Sequence, residues 1–562
     1  MKPLIECVPN FSEGRDPEVI RQITDAITSV PEVKLLNVDP GKATNRTVVT
    51  FVGEPQFVIE AAYRAIEKAG QLIDMRHHSG EHPRMGATDV CPLIPIANIS
   101  MEETVQYAHQ LAKRVGESLN LPVYLYEAAQ ADTSRSNLSV IRAGEYEGLS
   151  AKILRPEWKP DYGPAVFDEK RGATVIGARD FLVAYNVNLN TTSVRRANSI
   201  AFDVREAGRV KREGDPITGK IVKDASGNPV TIPGSLKHTK AIGWFIEEYG
   251  IAQISMNLTN IRETPVHIAF DEVCKKAADR GIRVTGSELV GLVPLSAMLE
   301  AGRYFLRKQK RSTGVGEKEL IRIAVKSMGL DELAPFKPEE RIIEYMLQSN
   351  NSSRLVNMNL EAFAAETASE SPAPGGGSIA AYVGALGVAL GTMVANLSAH
   401  KKGWDSRWDE FSTWADQGQD LMQQLIHCVD EDTRAFNRIM EAMQLPKGTD
   451  AEKEKRQTAM DNATRYAIEV PLKVMRLCYR SLDVIEAMAQ TGNPNSVSDA
   501  GVGALCARAG VWGAYMNVQI NAAGFSDTNF TQQALQEGKQ MLASALEREA
   551  AILKMVEEKI GS

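Results

Sequence analysis

The chain has 562 residues, of which 43% are hydrophobic and 24% charged, and a formal net charge of -7. That length exceeds one ordinary core and favours about three domain-sized units. The composition is that of a folded soluble chain, and the acidic balance excludes the counterion-release binding expected of a nucleic-acid protein.

The 6 cysteines are scattered, with no CxxC pair and no compact disulfide spacing, which fits a reducing cytosol. The opening MKPLIECVPNF carries no long apolar run, so a cytoplasmic location is expected. In chain order, LIECV predicts a strand. DPEVIRQITDAIT predicts a helix with Asp16 as N-cap, Pro17 at its first position, and Val19, Ile20, Ile23 and Ile27 on one face. Strands KLLNV and TVVTFVG, a helix from about Pro55 through Ile73, and a strand around ATDVCPLIPI complete a βαββαβ order. A capping box at Ser100 and Glu103 starts another helix, and PVYLYE adds a strand.

The order then recurs. FLVAYNVNL, TTSVRRANSIAFDVRE, AIGWFIE, IAQISMNL, PVHIAFDEVCKKAADRG and IRVTGSEL read as strand, helix, two strands, helix and strand. Between the first helix and the next strand, the turn-rich GDPITGKIVKDASGNPVTIPG predicts an inserted β-hairpin. From Glu317 the apolar period changes to that of helices, with a polar connector SNNSS at 349–353. The expected fold is therefore α/β plus all-α: two tandem ferredoxin-like βαββαβ subdomains and a helical bundle. Ile379 to Leu397 carries no charge and approaches the roughly 20 residues of a membrane span. Its Ala and Gly content, with no aromatic belt or second span, instead predicts a buried bundle helix and no membrane partner.

Three of the chain's 8 histidines, His77, His78 and His82, fall in RHHSGEHPRMG. The i, i+4 spacing of His78 and His82 suits zinc only on a regular helix, which Gly80 and Pro83 disfavour, and no familiar ligand set completes it. Two readings stay open: a catalytic imidazole beside Glu81 and Arg84, or a solvated polar loop. Asn10 and Asp39 stand at strand ends as pocket-lining residues or turn formers. In LIHCVDEDTRAF, Leu425, Val429, Asp432 and Phe436 share a helix face, so Asp432 is a carboxyl set in an apolar stripe. Desolvation there raises its pKa, as a proton donor requires; capping another helix or pairing with an arginine is the other reading. PAPGGGS, with Gly375, Gly376, Gly377 and Ser378, opens a helix whose free N–H groups suit an anion, or it is a tight bend. Asp499 in GNPNSVSDAG is a second pocket candidate or a simple N-cap.

The stretches ECVPNFSEGR, TNRTVVTFVG, GEHPRMGATDVCPLIP, EWKPDYGP, AIGWF, LVGLVPL, LAPFKPEERIIEY, PAPGGGSIAA and VDEDTRAF together resemble the formimidoyltransferase-cyclodeaminase family, in order along nearly the whole chain. The resemblance implies a bifunctional folate enzyme of histidine degradation. It would transfer a formimidoyl group from N-formimidoyl-L-glutamate to tetrahydrofolate, then cyclise the product to 5,10-methenyltetrahydrofolate with release of ammonia. Tetrahydrofolate, with or without a polyglutamyl tail, is the implied co-substrate, no metal is implied, and a homo-oligomer is expected. His82 is the implied transferase catalyst and Asp432 the implied cyclodeaminase proton donor. Arg84 is suited to a substrate carboxylate. Gly163, Pro164, Ala165, Val166, Phe167, Asp168, Glu169, Lys170, Arg171 and Gly172 resemble the family's folate-contacting loop. Phe167 would pack on the pterin, and Lys170 or Arg171 would meet the glutamate tail. Residues 1–180 and 181–328 are the expected transferase subdomains, 329–356 a linker and 357–562 the cyclodeaminase. The insertion near 209–235 departs from the animal members. The rival readings are a non-catalytic folate-binding scaffold and a metal-dependent hydrolase using the histidine loop.

Overall fold

The computed structural model describes residues 3–42, 44–80, 83–215, 218–347 and 355–561. Two compact units result: Met1–Ala297 with Met328–Leu347, and Met298–Ser327 with Gln348–Ser562.

The first unit begins with β1 (Leu4–Cys7), β2 (Asn10–Phe11), α1 (Pro17–Thr28), β3 (Val33–Gly41), β4 (Arg46–Gly53), α2 (Pro55–Leu72) and β5 (Thr88–Ala97). It continues with α3 (Met101–Ser118), β6 (Val123–Glu127), α4 (Leu138–Ile141), α5 (Glu145–Lys152) and β7 (Thr174–Ala178). Asp16 caps α1 by accepting from the Glu18 and Val19 N–H groups, and Ser100 with Glu103 forms the expected capping box on α3. β1 and β2 lie between β4 and β5, antiparallel to both, while β3 pairs outside β4. β7 and then β6 extend the sheet from β5 in parallel. The period of two sends Ile5 and Cys7 into the helix-covered core with Phe51, Ile66 and Leu111, and turns Glu6 to the other face. There a smaller core gathers Met85, Val90, Tyr124, Ile141, Leu149 and Val175.

The second module comprises β8 (Val183–Leu189), α6 (Val194–Val204), β9 (Arg209–Val210), β10 (Thr231–Ile232), β11 (Thr239–Ile246), β12 (Ile251–Leu258), α7 (Val266–Ala278) and β13 (Val284–Val290). Its sheet runs β11-β12-β8-β13, every pair antiparallel. The insertion forms the expected hairpin: β9 pairs with β10, and isolated bridges join Arg212 to Ile221 and Lys223 to Pro229.

Helices α8 (Leu295–Lys308), α9 (Glu317–Met328), α10 (Pro338–Arg341) and α11 (Ile343–Leu347) follow. After them come α12 (Leu360–Thr367), α13 (Gly376–Ala399), α14 (Trp408–Gln444), α15 (Asp450–Thr491), α16 (Val497–Ala522) and α17 (Thr528–Ile560). The compact units cut the chain differently from the expected 181–328 subdomain, because Met298–Ser327 packs with the helical unit. The Thr313 N–H donates to Ser412 Oγ at 3.0 Å, and Asn396 Nδ2 donates to the Gly314 carbonyl at 2.8 Å. The expected connector at 349–353 lies outside the described residues. α13 is long and apolar enough to cross a membrane, yet 61% of its apolar window is buried. Ala381, Ala385 and Val388 on α13 meet a core that includes Ala504 and Ala507 of α16, so small side chains let these helices close tightly.

Candidate active sites

The histidine loop joins α2 to β5. His82 and Glu81 lie outside the described residues, so the structure speaks through what flanks them. His78 is half-buried, its Nε2 2.8 Å from the Asn45 carbonyl, and burial, with the Arg84 charge, pushes its pKa down. Arg84 is the loop's anchor. Its guanidinium binds Glu147 at 2.6 Å and Glu145 at 3.0 Å, and its Nε donates to His78 Nδ1 at 3.3 Å. These carboxylates, Glu147 first, raise its pKa. The fork expected to hold a substrate carboxylate is therefore already occupied, and Arg84 instead ties α5 to the loop.

Asn10 bonds both locally and across the sheet, its Nδ2 donating to the Val8 carbonyl at 2.8 Å. Its Oδ1 accepts from Arg46 at 3.0 and 2.7 Å, and Arg46 binds Asp89 at 2.9 Å. Asp89, whose side chain is 1% exposed, also pairs with Arg142 and accepts from the Met85 N–H at 3.0 Å. Burial lowers the Arg46 pKa to about 10 in spite of Asp89. This network fixes the end of the histidine loop to the sheet. Sequence reasoning missed it, although TNRTVV and GATDV each set a charge beside an apolar strand run. Asn45 was missed as well: its side chain bonds the Ser79 carbonyl at 3.0 Å and the Gly14 N–H at 3.0 Å. Asp39 stands exposed on β3, paired in register with Val48.

The 163–172 segment docks against the same loop. Gly172 bridges Gly86, the Ala87 N–H donates to the Arg171 carbonyl at 2.8 Å, and the Met75 N–H donates to the Lys170 carbonyl at 2.8 Å. Gly172 has φ +72, and a Cβ there would sit 2.2 Å from the Met85 carbonyl oxygen, so only glycine fits. Phe167 packs against Tyr146 with ring centroids 5.5 Å apart, while Val166 is 66% exposed at the tip. Gly163, Ala165 and Glu169 are exposed, and Pro164 is half-buried. The basic pair is held within the chain: Arg171 binds Asp168 at 2.6 Å and the Leu119 carbonyl at 2.8 Å, and Lys170 Nζ donates to the Gln71 carbonyl at 2.8 Å. Neither is presented as a free cation for a glutamate tail, because both brace the segment.

In the helical unit, α14 brings Asp432 against the start of α13. One carboxylate oxygen accepts from the Ser378 N–H at 2.9 Å and lies 3.1 Å from the Ser378 hydroxyl. Burial raises the Asp432 pKa, and the Ser378 contacts pull the other way. A Cβ on Gly377 would fall 2.1 Å from Asp432 Oδ1, so the Gly-rich turn is the wall of the carboxyl's niche. Gly376 faces Asn517 of α16, with Nδ2 3.6 Å from the place of its missing Cβ, and Gly375 is the N-cap. The apolar stripe is shorter than expected: Leu425 and Val429 are buried, but Phe436 is 42% exposed. Asp430 is buried too, accepting from the Leu355 N–H at 3.0 Å, and Glu431 is held by Arg434 and the Tyr466 hydroxyl. Asp499 does not join this group. It lies in the first turn of α16, about five turns from Asn517. α13 and α16 run antiparallel, with Gly376 beside Asn517 and Gly387 beside Gly503, which puts Asp499 at the far end.

Among the described residues no group of three His, Cys, Asp or Glu side chains is gathered as a metal site. The two sites so assembled are a loop-lined one in the α/β unit and a half-buried acid at a helix start in the helical unit. Comparison with known proteins follows the same division. A formiminotransferase N-terminal subdomain model matches residues 4–179, a formiminotransferase domain model residues 184–348, and a formiminotransferase-cyclodeaminase model residues 359–540. The formimidoyltransferase-cyclodeaminase of Gallus gallus is 43% identical over 560 residues, 100% of both chains. The glutamate formimidoyltransferase of Thermoplasma acidophilum is 44% identical over 306 residues, 54% of this chain and 92% of that one. The methenyltetrahydrofolate cyclohydrolase of Methylorubrum extorquens is 37% identical over 205 residues, 36% of this chain and 99% of that one. Matched in order from end to end and at this identity, the chain belongs to the formimidoyltransferase-cyclodeaminase family.

Proposed function

We propose that this chain carries both activities in its relatives' name. It moves the formimidoyl group of N-formimidoyl-L-glutamate to tetrahydrofolate, then closes the 5-formimidoyl product to 5,10-methenyltetrahydrofolate and ammonia. The carrying observation is that full-length relatives have the bifunctional name while a glutamate formimidoyltransferase aligns over about half the chain.

In the first reaction N5 attacks the amidine carbon and loses its proton, and the carbon–nitrogen bond to glutamate breaks as that nitrogen gains one. His82 is our candidate for both transfers, since an imidazole near neutral pKa serves as base and then acid. The support is its place in a loop held before it by Asn45, at His78 and Ser79, and after it by the Arg84 ion pairs and the Gly86–Gly172 bridge. The 163–172 segment is our folate-contacting candidate through its exposed tip at Ala165 and Val166 and its Phe167–Tyr146 platform.

In the second reaction N10 bonds to the formimidoyl carbon, and the carbon–nitrogen bond to the NH2 group breaks as ammonia leaves. Asp432 is our candidate donor of the proton that ammonia carries away, supported by its raised pKa and narrow niche. The shared β11-β12-β8-β13 and β3-β4-β1-β5 orders support reading the modules as tandem ferredoxin-like subdomains. Apolar side chains exposed on α16, Leu505, Trp512, Met516 and Ile520, support a homo-oligomer. Purified protein given N-formimidoyl-L-glutamate and tetrahydrofolate should produce methenyltetrahydrofolate and ammonia in equal amounts; glutamate release with neither product would refute the second activity.

A further inference from the structure

The hairpin insertion builds a cavity apart from both candidate sites. On α6, Arg195, Asn198 and Phe202 fall at helical spacing along one side, with Arg205 following as the C-cap, while Ala197, Ile200, Ala201 and Val204 are buried. The hairpin supplies Arg209 and Arg212 from across the gap. Between them lies a cavity of about 380 Å³, within the roughly 300–1,000 Å³ of small-molecule sites. None of its lining residues belongs to the histidine loop, to the 163–172 segment or to the helical unit.

Its charge is only partly compensated. Asp203 is the neighbouring carboxylate, and it is already shared by Arg209, at 2.5 Å, and Arg280. Arg205 donates to the Gly208 carbonyl at 2.9 Å and stacks over Phe202 at 4.0 Å. Arg212 donates to the Gly219 carbonyl at 2.8 Å. Among the described residues neither has a carboxylate partner, and the Arg195 side chain makes no hydrogen bond or ion pair. Three guanidinium groups without counter-charge repel one another, and an anion entering between them relieves that repulsion. All are arginine and none lysine, and the planar guanidinium fork favours an anion with two oxygens to accept paired hydrogen bonds, as phosphate has.

We infer that this cavity binds a compact anion bearing two or more adjacent phosphate groups, of the size of a nucleoside diphosphate. The Phe202–Arg205 stack makes a flat wall for a ring attached to it.

The test is calorimetric titration of the full-length protein with inorganic pyrophosphate, ADP and tetra-L-glutamate at low and high salt. Pyrophosphate and ADP should bind, more weakly as salt rises. Arg195→Glu should weaken them at least tenfold, and Arg212→Ser should do the same. Because Arg212 also bonds the hairpin, the exposed Arg195 supplies the variant whose fold is least disturbed. Formimidoyl transfer should be unchanged in both. No binding of either phosphate compound, undiminished binding in Arg195→Glu, or binding of tetra-L-glutamate alone would overturn the inference.

Discussion

Asp432 shows how a helix start tunes an acid. The Ser378 N–H and hydroxyl stabilise the carboxylate, burial disfavours it, and burial prevails. The acid form is the working one, so ring closure should fall as pH rises through this pKa, read from initial rates with supplied 5-formimidoyltetrahydrofolate. Asn at this position should remove the pH limb along with roughly 10²–10⁴-fold of rate. Gly377→Ala should displace the carboxyl without touching its chemistry. A misplacement on the scale of 1 Å costs roughly 10²-fold, and formimidoyl transfer should be unchanged. Glu6 is a second tuned acid, pushed up to about 7 by burial against the pull of Arg179. Between its unfolded value near 4.5 and about 7 the folded chain holds a proton that the unfolded chain has lost. Stability should therefore fall as pH rises through that window, by about 3 kcal/mol. Denaturant titrations of Glu6→Gln should lack that part of the slope; an unchanged slope would assign it to other groups.

At the scale of elements, the 163–172 segment and the histidine loop act as one body, joined backbone to backbone at Gly86 and Gly172. Gly172→Ala must leave its left-handed conformation and move away from the Met85 carbonyl, at a cost of about 1–3 kcal/mol. Transfer should drop while ring closure persists, as separate assays of the two steps would show. The elements themselves were readable in the sequence because their causes are local. Asp16, Pro17 and the Ser100–Glu103 box mark helix starts by chemistry that needs no partner from afar. What was not readable depends on pairings between distant residues. Asp89 meets Arg46 and Arg142 only once β4 and β5 flank β2 and α4 folds over the sheet. Arg84, Lys170 and Arg171 looked like ligands for a bound carboxylate until the structure placed Glu147, Asp168 and backbone carbonyls beside them. Asp499 reads from GNPNSVSDAG as a pocket candidate or an N-cap, but antiparallel helix packing puts it at the opposite end of α13 and α16 from Asp432.

At the scale of the molecule, one chain holds an α/β unit and a helical unit, each with its own candidate proton carrier and its own wall of glycine. That the two steps are chemically independent is the claim on which the rest depends. The direct measurement is a pair of assays, formimidoyl transfer from N-formimidoyl-L-glutamate and ring closure of supplied 5-formimidoyltetrahydrofolate, on His82→Ala and Asp432→Asn. The account predicts that His82→Ala loses transfer and keeps ring closure, and that Asp432→Asn does the reverse. Loss of both activities in either variant, with its thermal unfolding unchanged, would contradict it.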